Sequence, residues 1–344
     1  MKALVKTQSG VGNLRLSDVQ KPTPMPDEVL VKVRAAGICG TDLHIKKDTF
    51  INFPPVTLGH EFSGEIVSVG EAVTGFQKGD RIVSQPHKGG CGHCRYCKNG
   101  QVEICPDKKA IGYKIDGCFS EFICMPAASL HRIPDSLSFE EAALAEPLAV
   151  GVKAVLERSK VEPNDVVVVL GCGAIGLLAA AAAKASGARK VLVTGTDNDL
   201  DVRLRIAKEM GMDDAISVQQ VDIKQKVAEW THGLGADLVV EASGAPAAIH
   251  QAFDLVRRDG RICAIGLTGK DTVPVPWNLA MYNSVTLSCS YSTSWTSWET
   301  AIGLLDSKRV NVAPLMSGIY SLQDFESAFQ QLENLQAVKN LFVF

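Results

Sequence analysis

Four of the ten cysteines in this 344-residue chain stand at 91, 94, 97 and 105, the first three at Cys-x2-Cys spacing and the fourth eight positions on. One short glycine-containing loop can wrap four such thiolates around a tetrahedral ion. Four sulfurs leave no open coordination position, so the expected site is a structural zinc that holds the loop in shape. An iron–sulfur cluster is the competing occupant, and four unrelated thiols are the reading without metal. His93, Arg95 and Lys98, between the sulfurs, read as solvated loop residues.

A second set of donors is dispersed. Gly37-Ile-Cys-Gly-Thr-Asp-Leu-His44 and Gly59-His-Glu-Phe-Ser-Gly64 put a thiol, an imidazole and a carboxylate into two glycine-flanked turns, and Glu146-Pro-Leu adds a carboxylate further on. Taken singly these residues say little, since a lone cysteine is usually a small core hydrophobe and Glu-Pro a helix-end turn.

A third pattern, Gly171-Cys-Gly-Ala-Ile-Gly176, follows the apolar run Val166 to Leu170 and opens an alanine-rich stretch. In that context Gly171, Gly173 and Gly176, with Ala174 and Ile175 between them, permit a tight turn. The free N–H groups of a helix can then face a pyrophosphate. Cys172 has no chemical role in this reading. Nineteen residues beyond Gly176, where NAD enzymes place an acid for the adenosine ribose, stands Gly195. Asp197 and Asp199 could substitute, whereas Arg203 and Arg205 would favour a 2′-phosphate. The expected cofactor is NAD, with NADP tolerated.

The elements that must position these residues fall into two textures. From Val29 to Val83 short β-rich segments alternate with glycine and proline, as in Val29-Leu-Val-Lys-Val33 and Phe62 to Val69, which predicts an irregular, mostly antiparallel β domain. After Pro147 the pattern turns to strand, helix, strand. The expected elements are a buried strand at 166–170, a helix at about 174–186, a strand at 190–194, a helix ending near Gly211, and strands at 237–241, 261–265 and 285–289. The domains expected are 1–148 with 290–344, and 149–289 for the cofactor.

Composition narrows the function classes. Hydrophobic residues make up 46% and charged residues 21%, the balance of a folded globular chain. Thirty-five basic against 38 acidic residues give a net charge of −3, with no basic run dense enough for a nucleic-acid partner. No secretory signal is read at Met1 to Gly10, and the longest apolar stretch, Ala174 to Ala183, is too short for a bilayer. A cytoplasmic protein with reduced thiols and no membrane partner is expected.

Together, the two turns, the Glu146-Pro-Leu-Ala-Val-Gly151 segment, the four-cysteine loop and the glycine motif resemble the zinc-containing medium-chain alcohol dehydrogenases across essentially the whole chain. His60-Glu61 and the Glu146 segment are most similar to the sorbitol and polyol dehydrogenases. Threonine dehydrogenases share the first metal motifs but continue the Glu-Pro segment with Gly-Asn-Ala, absent here. The resemblance implies an α/β protein: a GroES-like, mostly-β catalytic domain plus a Rossmann domain with a doubly wound parallel sheet.

Carried over residue by residue, the resemblance implies two zinc ions, one structural and one catalytic. Cys39 and His60 would be ligands of the catalytic zinc, and Glu61 and Glu146 ligands or water-mediated partners that exchange during turnover. Asp42 would orient the histidine and fix its tautomer. Thr41 would contact the alcohol and, with His44, relay its proton, although His44 reads equally as a surface residue. Ile265, Gly266 and Leu267 match a nicotinamide-flanking loop, and Cys289-Ser-Tyr291 another cofactor and substrate edge, with Ser290 where polyol enzymes often carry arginine. Lys339 matches a basic residue for the pyrophosphate, or else a solvated lysine. Relatives form dimers or tetramers.

The expected activity is NAD(P)-dependent oxidation of a secondary hydroxyl of a polyol or sugar alcohol, free or phosphorylated, to a ketone. Zinc as Lewis acid would favour loss of the alcohol's proton before hydride leaves. The alternatives are L-threonine 3-dehydrogenase, a non-catalytic dinucleotide-binding sensor and, most remotely, a zinc-ribbon nucleic-acid binder.

Overall fold

The computed structural model describes residues 1–344. It divides into two compact units, one of Met1–Glu146, Thr293–Asp306 and Met316–Phe344, the other of Pro147–Ser292 and Ser307–Leu315. The return of the chain to the first unit after residue 290 is therefore interrupted. Ser307–Leu315 belongs to the second unit, where Val310, Val312 and Leu315 are buried and the Arg309 guanidinium donates to the Ala185 carbonyl.

In the first unit, strands β1 (Lys2–Lys6), β2 (Leu14–Asp18), β3 (Glu28–Gly37), β4 (Val56–Thr57), β5 (Glu61–Val69), β6 (Arg81–Ser84), β7 (Phe122–Pro126) and β8 (Leu130–Arg132) precede the second unit. The second unit contributes β9 (Val166–Leu170), β10 (Lys190–Gly195), β11 (Asp214–Ser217), β12 (Ala236–Glu241), β13 (Val256–Ala264) and β14 (Thr286–Cys289). Strands β15 (Met316–Tyr320) and β16 (Lys339–Val343) return to the first.

The larger sheet of the first unit runs β15-β16-β3-β5-β6-β8, with β7 also on β3, and a small sheet runs β2-β1-β4. Only the β15–β16 pair in the larger sheet is parallel. Alternating apolar residues of β3, with Val29, Val31 and Val33 fully buried, pack with Phe62, Ile66, Ile82, Phe119 and Phe342 into one core. Gly37, the last residue of β3, pairs with Glu61 on one side and Leu341 on the other. This register brings the start of β5 and the start of β16 to the same end of β3.

The second unit has a six-stranded sheet in the order β11-β10-β9-β12-β13-β14, every pair parallel. This is the doubly wound order of dinucleotide-binding domains, with its switch point between β9 and β12. Val166 to Leu170 is buried at every position because helices cover both faces of such a sheet. No helix of the chain is long and apolar enough to cross a membrane.

Candidate active site and metal centres

The candidate catalytic donors are assembled by one carboxylate. Cys39 caps the helix Gly40–Lys46 with extended backbone, and Asp42, fully buried in the first turn, accepts the Cys39 N–H at 2.9 Å through Oδ2. Its Oδ1 accepts the Gly59 N–H at 3.3 Å. One side chain thus ties both glycine-flanked turns together, and Cys39 meets His60. Asp42 Oδ1 lies 4.0 Å from His60 Nδ1, beyond hydrogen-bond range, so in this structure Asp42 holds backbone rather than the ring. Burial pushes the Asp42 carboxyl up, against the pull of His60.

Ligand atoms of Cys39, His60 and Glu61 all lie within 4.8 Å of one another. Glu146, 7% exposed in the first turn of the helix Ala145–Val152, stands outside that group but within its field. Burial, then the Glu61 charge, raise its carboxyl to about 7, while His60 and Lys339 oppose them. Although burial disfavours its charged form, His60 is held well above the usual histidine range by Cys39, Asp42 and Glu146, and its Nδ1 is buried without a hydrogen-bond partner. A thiol, an imidazole and two carboxylates crowded out of water need a cation. These donor types suit zinc, which would be held by Cys39, His60 and Glu61, with Glu146 beside them.

Lys339 differs from its expected place at a pyrophosphate. It is 2% exposed at the start of β16, with Nζ 2.9 and 2.7 Å from the two Glu61 oxygens and 3.0 Å from the Ile38 carbonyl. An ammonium so engaged is the counter-ion of the Glu61 carboxylate. Burial works against its charge, but Glu61 and Cys39 raise its pKa overall. Gly37 makes room for this pair, because a Cβ there would collide with Glu61 Oε2. The sequence reading missed both contributions; the glycine ending a β-branched strand just before Cys39 was the available signal.

Thr41 Oγ1 lies 3.7 Å from Cys39 Sγ. His44 is exposed one turn along, and its Nδ1 is 3.1 Å from Thr49 Oγ1, so its ring is bonded to Thr49 rather than to Thr41.

The sulfurs of Cys91, Cys94, Cys97 and Cys105 also lie within 4.8 Å of one another, and no cysteine is in a disulfide. Cys94 to Cys105 and Cys105 to Cys91 are each 3.8 Å apart. Zn–S bonds of about 2.3 Å at tetrahedral angles give an edge of about 3.8 Å, so the cage has the size of a four-thiolate zinc site. The N–H groups of Cys91, Cys94 and Cys97 point at sulfurs of the cage. Backbone N–H groups of His93 and Cys94 lower the Cys91 thiol to about 6. At Cys97 the Gly92 N–H favours the thiolate, yet burial and the other three thiols push it up to about 12. Four thiols cannot all ionise at this spacing without a cation. Gly90, also missed, is required because a Cβ there would lie 2.9 Å from the sulfurs of Cys97 and Cys105.

In the second unit Gly171 has φ +114° and its N–H bonds the Thr194 carbonyl at 3.1 Å, turning the chain from β9 into the helix Ala174–Ala185. Gly173 caps that helix without a side-chain hydrogen bond, which leaves the first-turn N–H groups, from Ala174 and Ile175 on, for a pyrophosphate. A Cβ on Gly176 would run into the Gly171 carbonyl oxygen. Gly195 ends β10; Asp197 is exposed and Asp199 buried.

The Ile265 and Gly266 N–H groups bond the Glu241 carbonyl at 2.8 and 3.1 Å, and Leu267 is 74% exposed. Glu241, unforeseen from sequence, is buried at the end of β12; its Oε1 accepts from Ser243 N, Ser243 Oγ and Gly244 N at 2.6–2.9 Å. It fixes the loop after β12 at the switch point. Ser290 N bonds the Ala264 carbonyl at 2.9 Å, and its buried hydroxyl has no partner.

Residues 25–135 match the model of the alcohol dehydrogenase GroES-like domain and residues 174–307 that of the zinc-binding dehydrogenases. A sorbitol dehydrogenase of Halalkalibacterium halodurans is 41% identical over 341 residues, covering 99% of this chain and 98% of that one. An L-threonine 3-dehydrogenase of Pyrococcus horikoshii is 36% identical, covering 100% of this chain and 98% of the relative. The crystal structure of a zinc-binding dehydrogenase from Sinorhizobium meliloti bound to NADP superposes with a TM-score of 0.92 at 30% identity, covering 100% and 99% of the two chains. The chain belongs to the zinc-dependent medium-chain alcohol dehydrogenases, NAD(P)-linked oxidoreductases, and lies close to the polyol dehydrogenases within them.

Proposed function

We propose that this dehydrogenase oxidises a secondary hydroxyl of a polyol or sugar alcohol, free or phosphorylated, to a ketone. The observation that carries the reading is the Cys39, His60 and Glu61 cluster with Glu146 beside it in the Glu146-Pro-Leu-Ala-Val-Gly151 segment. The 41% identity to a sorbitol dehydrogenase supports it. Bound zinc supplies Lewis acidity toward the alcohol oxygen and the dinucleotide supplies the hydride acceptor. The chain's own residues do the rest. Asp42 fixes the two donor turns, and Lys339 holds the Glu61 carboxylate in place. Thr41 would accept the alcohol's proton as its own hydroxyl proton passes on toward solvent; its position beside Cys39 supports this role, while His44, bonded to Thr49, would join the relay only by turning away from it.

Threonine is the second reading, favoured by the 36% identical threonine dehydrogenase. A panel of sorbitol, xylitol, arabitol, their phosphates and threonine, assayed with NAD and NADP on protein of measured zinc content, decides between them. Polyol turnover at least about tenfold above threonine is expected. Preference for threonine transfers the assignment, and zinc-loaded protein inert on the whole panel removes it. A cofactor sensor without chemistry is disfavoured by the intact donor set.

The chain works as a homo-oligomer, dimer or tetramer, in a reducing, cytoplasmic setting. The exposed edge strand β14 and the exposed Trp277, Met281, Tyr282 and Leu287 support association, and ten free cysteines support the compartment. Light scattering of the purified protein tests the first point; a monomer at micromolar concentration would refute it.

A further inference from the structure

The residue that chooses between NAD and NADP is not where the sequence pattern would put it. An acid at the end of the second strand of a dinucleotide-binding sheet bonds the adenosine ribose hydroxyls, whereas a nearby arginine accommodates a 2′-phosphate. That position, the last of β10, is Gly195, and an acid there would have to push its neighbours aside. A Cβ there would lie 2.6 Å from Cys172 Sγ and 3.1 Å from both Cβ and Oδ2 of Asp199. The space next to Gly195 is thus already filled by a carboxylate from four residues later.

Its placement is built. The short turn after Thr196 brings Asp199 back, and Asp199 Oδ2 accepts both the N–H and the hydroxyl of Thr196 at 2.9 Å. Oδ1 meets Arg203 at a long 3.4 Å, and although the Cys172 thiol also hydrogen-bonds the Asp199 carboxylate, a carboxylate's four lone-pair sites leave it acceptor capacity. Asp197 is differently placed: it is exposed, and its Oδ1 accepts the Ser217 hydroxyl at 2.6 Å. Neither arginine offers an unopposed charge. Arg203 pairs with Asp199, although its Nε is buried and unpartnered, and Arg205 pairs with Glu209 at 2.6 Å on the surface.

We propose that Asp199 is the cofactor-selecting residue of this chain, a carboxylate relocated into the space beside Gly195 that accepts a ribose hydroxyl of NAD and repels the 2′-phosphate of NADP. The inference rests on the dinucleotide-binding reading of the second unit and not on the choice of substrate.

Calorimetric titration of the zinc-loaded full chain with 5′-AMP and with 2′,5′-ADP tests it without turnover, so failure of the polyol assignment leaves it intact. The expected result is 5′-AMP binding about tenfold or more tighter than 2′,5′-ADP, the scale of a hydrogen bond to a charged group. Asp199→Asn should weaken 5′-AMP and bring the two affinities within about threefold, while Asp197→Asn shifts neither by more than about twofold. Equal or tighter binding of 2′,5′-ADP by the unaltered chain overturns the proposal. So does an unchanged ratio in folded Asp199→Asn, or collapse of the ratio in Asp197→Asn instead. If Asp199→Asn does not fold, the ratio in the unaltered chain and in Asp197→Asn still decides.

Discussion

At the scale of single residues, the candidate catalytic site is a small volume in which negative and donor groups outnumber the positive charge the chain itself supplies. Cys39 and Glu61 lie with His60, the Glu146 charge acts on it from outside the group, and Lys339 is the buried ammonium bound to Glu61. Cys39→Ser should lower kcat/KM about 10³-fold or more, since a Lewis acid contributes several kcal/mol to the transition state. Dinucleotide affinity, measured by protein fluorescence, should stay within about twofold, because its elements lie in the other unit. Full activity of the variant would refute the ligand assignment. Lys339→Met leaves Glu61 buried without its counter-ion, and in zinc-free protein should cost about 3–5 kcal/mol in chemical denaturation. A loss under about 1 kcal/mol would show that Glu61 has another partner.

At the scale of elements, the cysteine loop and the catalytic turns are separate constructions. Cys94→Ser should reduce zinc content from two ions to one per chain by metal analysis. Limited proteolysis should then cut between residues 91 and 105, with kcat changed less than about threefold. Loss of both ions together would mean that the sites are coupled. How much of this was legible in the sequence depended on whether the physical cause was local. The strand Val166–Leu170 and the helix opening at Ala174 were readable because a sheet covered on both faces needs an unbroken apolar run and a pyrophosphate turn needs its glycines. The start of β13 was not, because Val256-Arg-Arg-Asp-Gly-Arg261 reads as a turn. There Val256 still pairs with Ala236, across a register shift, before Leu238 meets Arg261. The four cysteines carried their chemistry in residue type and spacing, whereas Cys39 and His60 were legible only through the resemblance of their glycine-flanked turns to a known family. Lys339 was legible in neither way, since its meaning comes from β16 lying antiparallel to β3, a pairing no local pattern encodes. Ser307–Leu315 was misplaced for the same reason: nothing in a helix-to-strand connection announces which core will bury it.

At the scale of the molecule, stability should depend on acid through two histidines kept neutral in the first unit. Burial, helped by Lys108, lowers His87 from 6.5 to about 4, and burial alone lowers His131 to about 4. His131 stacks on Trp298 with ring centroids 5.4 Å apart, and its Nε2 has no partner. Both pKa values fall on folding, so at these two sites the unfolded chain binds more protons between pH 6.5 and 4. Their contribution is complete above pH 6.5 and is lost as pH falls toward 4, on the order of a few kcal/mol each. Glu146 and His60, whose pKa values are raised on folding, act in the opposite sense, so the test is a difference: denaturation midpoints of His131→Phe, which keeps the stacking, should gain on those of the unaltered chain as pH falls from 6.5 to 4.5. An identical slope in the variant would remove His131 from the account.

The Glu61–Lys339 pair joins residues 278 positions apart in the chain. During synthesis β3 and β5 can zip together as soon as they leave the ribosome, but the strand that neutralises Glu61 emerges only after the entire dinucleotide-binding unit has been made. Until β16 arrives, Glu61 lacks its counter-ion and the Gly37 end of β3 lacks one of its two neighbours. Completion of the Glu61–Lys339 pair is thereby tied to synthesis of the whole intervening unit, which makes it one of the last contacts of the first unit that can form.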